Sequence, residues 1–168
     1  AQAGEGCRHN LNYWQFGDYL GIGAGAHGKL TLAVAADAAD AAEPRAARRI
    51  YRRSKTRMPK DYLAAAQTTR ASLSDRPHTS AFIATSEAIA AADLPFEFML
   101  NALRLTAGVP QAYWSQRTGL RHDAIRQTLA TLRERGLMEA NPERLQASAL
   151  GLRFLNRAID AFLPDHSA

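Results

Sequence analysis

The apolar positions of this chain keep two different rhythms. From Asp93 onward they return at helical spacing: Phe96, Met99, Leu100 and Leu103 stand at i, i+3, i+4 and i+7, and Ile125, Thr128, Leu129 and Leu132 repeat the pattern. Asp93 is placed to cap the first of these helices, with Pro95 and Glu97 in its first turn, and Gly108 followed by Pro110 to stop it. A short helix is predicted from Pro110 to Thr118, ending at Gly119, and a third from about His122 to Arg135, ending at Gly136. LMEANPERLQA then reads as a small hairpin turning at Asn141-Pro142. Ser148 opens a last helix, with Leu152, Leu155, Ile159 and Phe162 on its inner stripe and Pro164 after it.

Before Asp93 the rhythm is extended and interrupted. Tyr19 to Ile22 reads as a short buried strand running into a glycine turn. KLTLAV is β-like, and a turn over Ala35 to Ala42 leads to a second extended run, which together predict a hairpin. Asp61 to Ser72 is rich in helix formers, with Tyr62, Leu63 and Ala66 on one side, and Leu73 to Ser80 is a loop. AFIATSEAIAAAD is ambiguous: Phe82 to Thr85 suits a strand, whereas the alanines favour a helix. The expected organisation is α+β, with residues 1–58 extended, 59–91 a connecting helical and loop segment, and 92–168 mostly helical.

Composition narrows this picture. With 168 residues, 46% of them hydrophobic, the chain can bury a real core. The single Cys7 excludes an internal disulfide and a cysteine-only metal cage, and fits a reducing compartment. No apolar run reaches the ~18 residues that span a bilayer, and no signal peptide opens the chain, so a soluble cytoplasmic protein is expected. The net charge is +5, and the excess is local: Arg45, Arg48, Arg49, Arg52, Arg53, Lys55, Arg57 and Lys60 follow Pro44 with no acidic residue among them. Such a strip can attract phosphates, carboxylates or nucleic acid, or form the solvated outer face of a hairpin.

Chemistry concentrates between Cys7 and Leu30, CRHNLNYWQFGDYLGIGAGAHGKL. His9, Asn10, Tyr13 and Trp14 place a metal-binding imidazole near two flat rings, which suits the wall of a haem or nucleotide site. A histidine hydrogen-bonded in a loop, with Tyr13 and Trp14 in the core, is the structural alternative. Gly23, Gly25 and Gly28 satisfy G-x-G-x-x-G, but a dinucleotide fingerprint needs a helix opening at the last glycine, and KLTLAV follows instead. The Rossmann reading fails on that context. No general acid or base stands out, since His122 and Asp123 have no nucleophile beside them.

The Cys7–Leu30 stretch, together with the later FEFMLNALRL, RTGL and GLRFLN, resembles the C-terminal half of radical S-adenosylmethionine proteins of the HemW type. These are haem chaperones related to oxygen-independent coproporphyrinogen III oxidase. The resemblance implies the last strands of a partial radical-SAM barrel followed by a winged-helix domain like the HemN C-terminal domain. It implies haem binding through the HNxxYW positions His9, Asn10, Tyr13 and Trp14, with His9 as axial ligand, and a chaperone rather than the oxidase, which lacks that motif. By position, Gly23, Ala24 and Gly25 would line the adenosine part of an S-adenosylmethionine site, with His27 either a structural hydrogen-bonding group or a second polar contact. Basic strands followed by K-x-x-P-x-x-Y are usual in the family, and Arg57, Pro59 and Tyr62 echo that pattern without an assigned ligand.

The C-x-x-x-C-x-x-C triplet that holds the family's [4Fe–4S] cluster is absent, and the chain opens AQAGEGC, so a fragment is expected that does not itself assemble the cluster. Departures from relatives fall around Ala147 to Leu150, usually Thr-Pro, and in the longer turn at Ala35 to Ala42. The implied partners are haem and haem-accepting proteins, with a homodimer compatible. The rival reading is a winged-helix DNA binder using Arg121, His122, Arg126 and Arg133 as an outward face, diluted by Asp123, Glu134, Glu139 and Glu143.

Overall fold

The computed structural model of the chain describes residues 7–33, 48–71 and 81–164. Its elements in chain order are α1 (Arg8–Trp14), β1 (His27–Ala33), β2 (Arg48–Lys55), α2 (Pro59–Ala71), β3 (Ile83–Ala88), α3 (Leu94–Ala102), β4 (Val109–Pro110), α4 (Ala112–Thr118), α5 (Asp123–Glu134), β5 (Arg144–Leu145), α6 (Ala149–Arg153) and α7 (Leu155–Asp160). Helices and small sheets mix, as the α+β expectation requires. They gather into two compact units, one drawn from Ala1–Gly17, Ala35–Arg48 and Ala90–Ala168, the other from Asp18–Val34 and Arg49–Ile89.

In the first unit α3 packs on α1, α4 and α7. Its core is Phe98, Met99, Leu103, Trp114, Ile125, Leu129, Leu132 and Leu145, each 1% exposed or less. The predicted stripe of the third helix is therefore correct at Ile125, Leu129 and Leu132. The stripe of α3 is rotated relative to expectation: Phe98, Met99, Ala102 and Leu103 are buried, whereas Phe96 and Leu100 are only half-buried. Asp93 sits at the N-cap but makes no capping bond with its side chain, and the helix ends at Ala102, well before Gly108. The predicted turn at Asn141 is held by its side chain, whose Oδ1 accepts from the Glu143 N–H at 2.9 Å. The returning chain pairs β5 antiparallel with β4, and Met138 bridges Ala147.

Ser148 caps α6 as expected, its Oγ accepting from the Gly151 N–H at 3.0 Å. The last helix is not continuous, however. It breaks at Phe154 into α6 and α7, so Leu152 faces solvent, and only Ile159 and Phe162 of the predicted stripe are buried. Gly151 is the residue of α6 that packs inward, because a Cβ there would meet the Leu137 carbonyl.

The second unit is a sheet of order β1-β2-β3 with α2. β2 and β3 pair antiparallel from Tyr51 opposite Ala88 to Lys55 opposite Ile83, with an irregularity between Ser54 and Lys55. Ile83–Ala88 is thus a strand, settling the ambiguous alanine-rich segment against the helix. The expected strand at Tyr19–Ile22 is reduced to one antiparallel bridge, Tyr19 with Lys29, and Leu20 and Ile22 are 72% and 89% exposed rather than buried. The cause is the turn that follows at once, where Gly23 and Gly25 take φ of +101° and +70°, a region L side chains avoid. On α2, Ala65 is buried and Leu63 is exposed. The predicted turn at Ala35–Ala42 and the loop at Leu73–Ser80 lie outside the described residues.

Candidate functional site

HNLNYW is helical. Spacing of i, i+1, i+4 and i+5 along α1 sets His9 over Tyr13 and Asn10 over Trp14, so the four side chains form one broad face. His9 and Asn10 are exposed, Tyr13 is 39% exposed and Trp14 is half-buried. The face therefore offers an imidazole and an amide in water with a phenol and an indole one turn further on. A loop histidine, the structural alternative, does not describe this segment.

Seven residues, of which His9, Asn10, Asn12, Tyr13 and Trp14 are weak helix formers, make a poor helix by length and propensity, and Cys7 gives no side-chain cap. The helix is held from its other end. The Gly17 N–H donates to the Asn12 carbonyl at 2.8 Å and the Phe16 N–H to the Tyr13 carbonyl at 3.0 Å, which together make a Schellman closure. Phe16 takes the left-handed position usually given to glycine, with φ of +61°. That conformation costs about 1–2 kcal/mol for a residue with a Cβ. Burial offsets it: Phe16 is 1% exposed, its ring 5.4 Å from Phe98, which meets Trp114 edge-on at 5.4 Å. A Cβ at Gly17 would meet the Asn12 amide and the Arg117 guanidinium, so a side chain there would have to displace both.

The glycine turn belongs to the second unit and presents backbone. Its donors are engaged: the Gly23 N–H meets the Tyr62 hydroxyl at 3.3 Å, and the Gly25 N–H donates to the Thr56 carbonyl at 2.9 Å. Ala24 between them is exposed, and so is His27 at the start of β1. Gly28 lies within β1 and not at a helix start, in keeping with the failure of the dinucleotide fingerprint. Ahead of the turn, Asp18 accepts from Lys29 Nζ, the Thr31 N–H and Thr31 Oγ1, each at 2.9 Å, and buries the Lys29 side chain to 5% exposure. Partial burial pushes the Asp18 carboxyl up, but the bonds from Lys29 and Thr31 and the Lys29 charge outweigh it, leaving the group below the usual carboxylate range.

Residues 89–154 match the HemN C-terminal domain family. The chain is 33% identical over 165 residues to the heme chaperone HemW of Haemophilus influenzae and, to the same extent, to that of Escherichia coli, covering 98% of the chain and 36% of each relative. The heme chaperone HemW of Buchnera aphidicola subsp. Schizaphis graminum is 27% identical over 157 residues, covering 94% of the chain and 34% of that protein. The chain corresponds to the C-terminal part of a HemW-type protein. It spans about a third of the length of these relatives. No solved structure matches it.

Several basic groups of this HemW-type chain have partners within their own unit. Asp123 pairs with Arg121 at 3.3 Å and Arg126 at 3.7 Å. Arg133 donates to the carbonyls of Glu139 and Asn141, and Arg144 to those of Ala107 and Gly108. His122, expected to point outward, is half-buried with its Nε2 enclosed. In the strip on β2, Arg52 stands opposite Glu87, Arg53 Nε donates to Ser86 Oγ at 3.2 Å, and Lys55 lies 5.8 Å over the Phe82 ring. Arg45 lies outside the described residues.

Among the described residues no group of three His, Cys, Asp or Glu side chains could hold a metal ion, and no helix is long and apolar enough to cross a membrane. Sequence reasoning missed Phe16, and it named Tyr62 without its contact to Gly23. Phe16 carried a signal in its place just after HNLNYW and before a glycine. Tyr62 carried one in the P-x-x-Y spacing.

Proposed function

We propose that this chain is the haem-handling part of a haem chaperone, which binds haem on the exposed face of α1 and passes it to acceptor proteins in the cytoplasm. His9 serves as axial ligand, Tyr13 and Trp14 lie against the macrocycle, and Asn10 offers a polar contact. The observation that carries this reading is that all four HNxxYW side chains fall on one accessible side of a helix whose other end is anchored in a core. The residues fit a haem: an exposed imidazole can ligate iron without leaving a buried position, and two neighbouring rings supply flat apolar area.

In the complete polypeptide an S-adenosylmethionine and a [4Fe–4S] cluster would supply radical chemistry, and Gly23, Ala24 and Gly25 would line the nucleoside. The fit there rests on the exposed Ala24, since the Gly23 and Gly25 N–H groups already have protein acceptors. β1, β2 and β3 are read as the end of a partial barrel. The winged-helix reading of residues 92–168 is supported by the order α3, β4, α4, α5 and the Asn141 turn. As a DNA reader that domain would use Arg121, His122, Arg126 and Arg133 as an outward face; Asp123 beside Arg121 and Arg126 and the half-buried His122 weaken that face.

Haemin titration tests the proposal. Wild-type chain should shift the Soret band and quench Trp14 emission, and His9→Ala should lose the shift. An unshifted Soret band in wild type, or an unchanged shift in His9→Ala, would overturn it. Binding of duplex DNA that falls steeply with salt and with Arg126→Ala would favour the rival.

A further inference from the structure

The segment Lys55–Tyr62 touches the glycine turn at three points. Lys55 N–H donates to the Ala26 carbonyl at 2.8 Å, the Thr56 carbonyl accepts from Gly25 at 2.9 Å, and the Tyr62 hydroxyl meets the Gly23 N–H at 3.3 Å. Two of these contacts are backbone to backbone, available to any sequence. The third depends on one side chain from the first turns of α2, reaching 39 positions back along the chain. That side chain is itself held: the Tyr62 ring lies 4.8 Å from Phe82, and the Phe82 carbonyl accepts from both Thr56 N–H and Thr56 Oγ1. A turn of two positive-φ glycines has the weakest intrinsic preference for one shape of any short segment, so whatever fixes it must come from outside. Space alone does not fix it, because a Cβ at Gly23 would meet nothing within 4 Å.

We infer that Tyr62 is a positioning residue: its hydroxyl, by holding the Gly23 amide, fixes the turn in the one shape that presents Ala24 to the nucleoside of S-adenosylmethionine. This rests on the reading of Gly23, Ala24 and Gly25 as a nucleoside wall. It also gives a role to the P-x-x-Y spacing, since Pro59 begins α2 and sets Tyr62 one turn in, where its hydroxyl reaches Gly23.

Tyr62→Phe keeps the ring and removes only the hydroxyl. Hydrogen exchange in the 168-residue chain should show the Gly23 amide exchanging about fivefold to tenfold faster, the loss of one hydrogen bond, with the Gly25 amide much less affected. Equilibrium dialysis of S-adenosylmethionine against the complete cluster-loaded polypeptide should show affinity weakened by a similar factor. Tyr62→Leu should do the same to both and also lower the melting temperature, separating loss of the ring from loss of the hydroxyl. Unchanged Gly23 exchange in Tyr62→Phe would overturn the inference, and so would faster exchange with unchanged affinity. Ala24→Trp, a bulky change at an exposed position, separates the two ideas. If it too leaves affinity unchanged, the nucleoside-wall reading fails; if it abolishes binding while Tyr62→Phe does not weaken it, only the positioning role of Tyr62 fails.

Discussion

The two segments proposed to meet cofactors, HNLNYW and GIGAGAHG, are neighbours in sequence but fall in different compact units and are built on opposite plans. α1 offers side chains, and its backbone is fixed by a hydrophobic anchor, Phe16 on Phe98 on Trp114. The glycine turn offers little but backbone, and it is fixed by polar contacts: the Asp18–Lys29–Thr31 cluster before it and Thr56 and Tyr62 beside it. A face of side chains tolerates a short, poor helix so long as one end is nailed into a core. A bare turn has no side chain to bury and needs donors and acceptors from elsewhere in the fold.

That contrast can be broken from either side. Both tryptophans, Trp14 and Trp114, belong to the first unit, so tryptophan emission follows that unit alone. Phe16→Ala should cost about 3–4 kcal/mol in denaturant unfolding followed by tryptophan emission, the cavity left by a buried ring. Phe16→Gly should cost about 1 kcal/mol less than Phe16→Ala, because the left-handed strain disappears with the side chain. Equal losses would show that the strain is not real.

Asp18→Asn strikes the polar plan. It replaces the carboxylate beside the buried Lys29 with a neutral amide and should destabilise the second unit by about 1–2 kcal/mol, read by hydrogen exchange across β1, with the tryptophan transition unmoved. Because the folded Asp18 carboxyl sits below its unfolded value, its contribution is present above the ordinary carboxylate range and is lost as pH falls through the folded value. Wild type should therefore lose β1 protection on acidification over a range where Asp18→Asn stays flat. Ser148→Ala, removing the cap of α6, is the smallest change, about 1 kcal/mol on the tryptophan transition.

Legibility in the sequence followed locality. α5 and the Ser148 cap were readable because Ile125, Leu129 and Leu132 and a capping hydroxyl are local signals. β3 was not, since IATSEA has helix-like composition and becomes a strand through pairing with β2, whose Tyr51 stands opposite Ala88 and whose Lys55 stands opposite Ile83, a distant stretch of the chain. The break at Phe154 and the solvent-facing Leu20 and Ile22 were hidden for a related reason: apolar side chains left exposed follow no burial pattern. At the candidate site the residues of HNxxYW were visible as a set, but not that they share a helix face, because the helix is short, has no cap at Cys7 and is closed by the buried Phe16 beyond it. The role of Tyr62 required the fold as well, being a contact between distant segments.

The central claim is that haem follows α1 and its hydrophobic anchor and is independent of the glycine turn. Soret titration of haemin across His9→Ala and Asp18→Asn tests it most directly. The shift should be lost in His9→Ala and kept, at wild-type affinity, in Asp18→Asn. A shift that survives His9→Ala, or that disappears with Asp18→Asn while the tryptophan transition is intact, would contradict it.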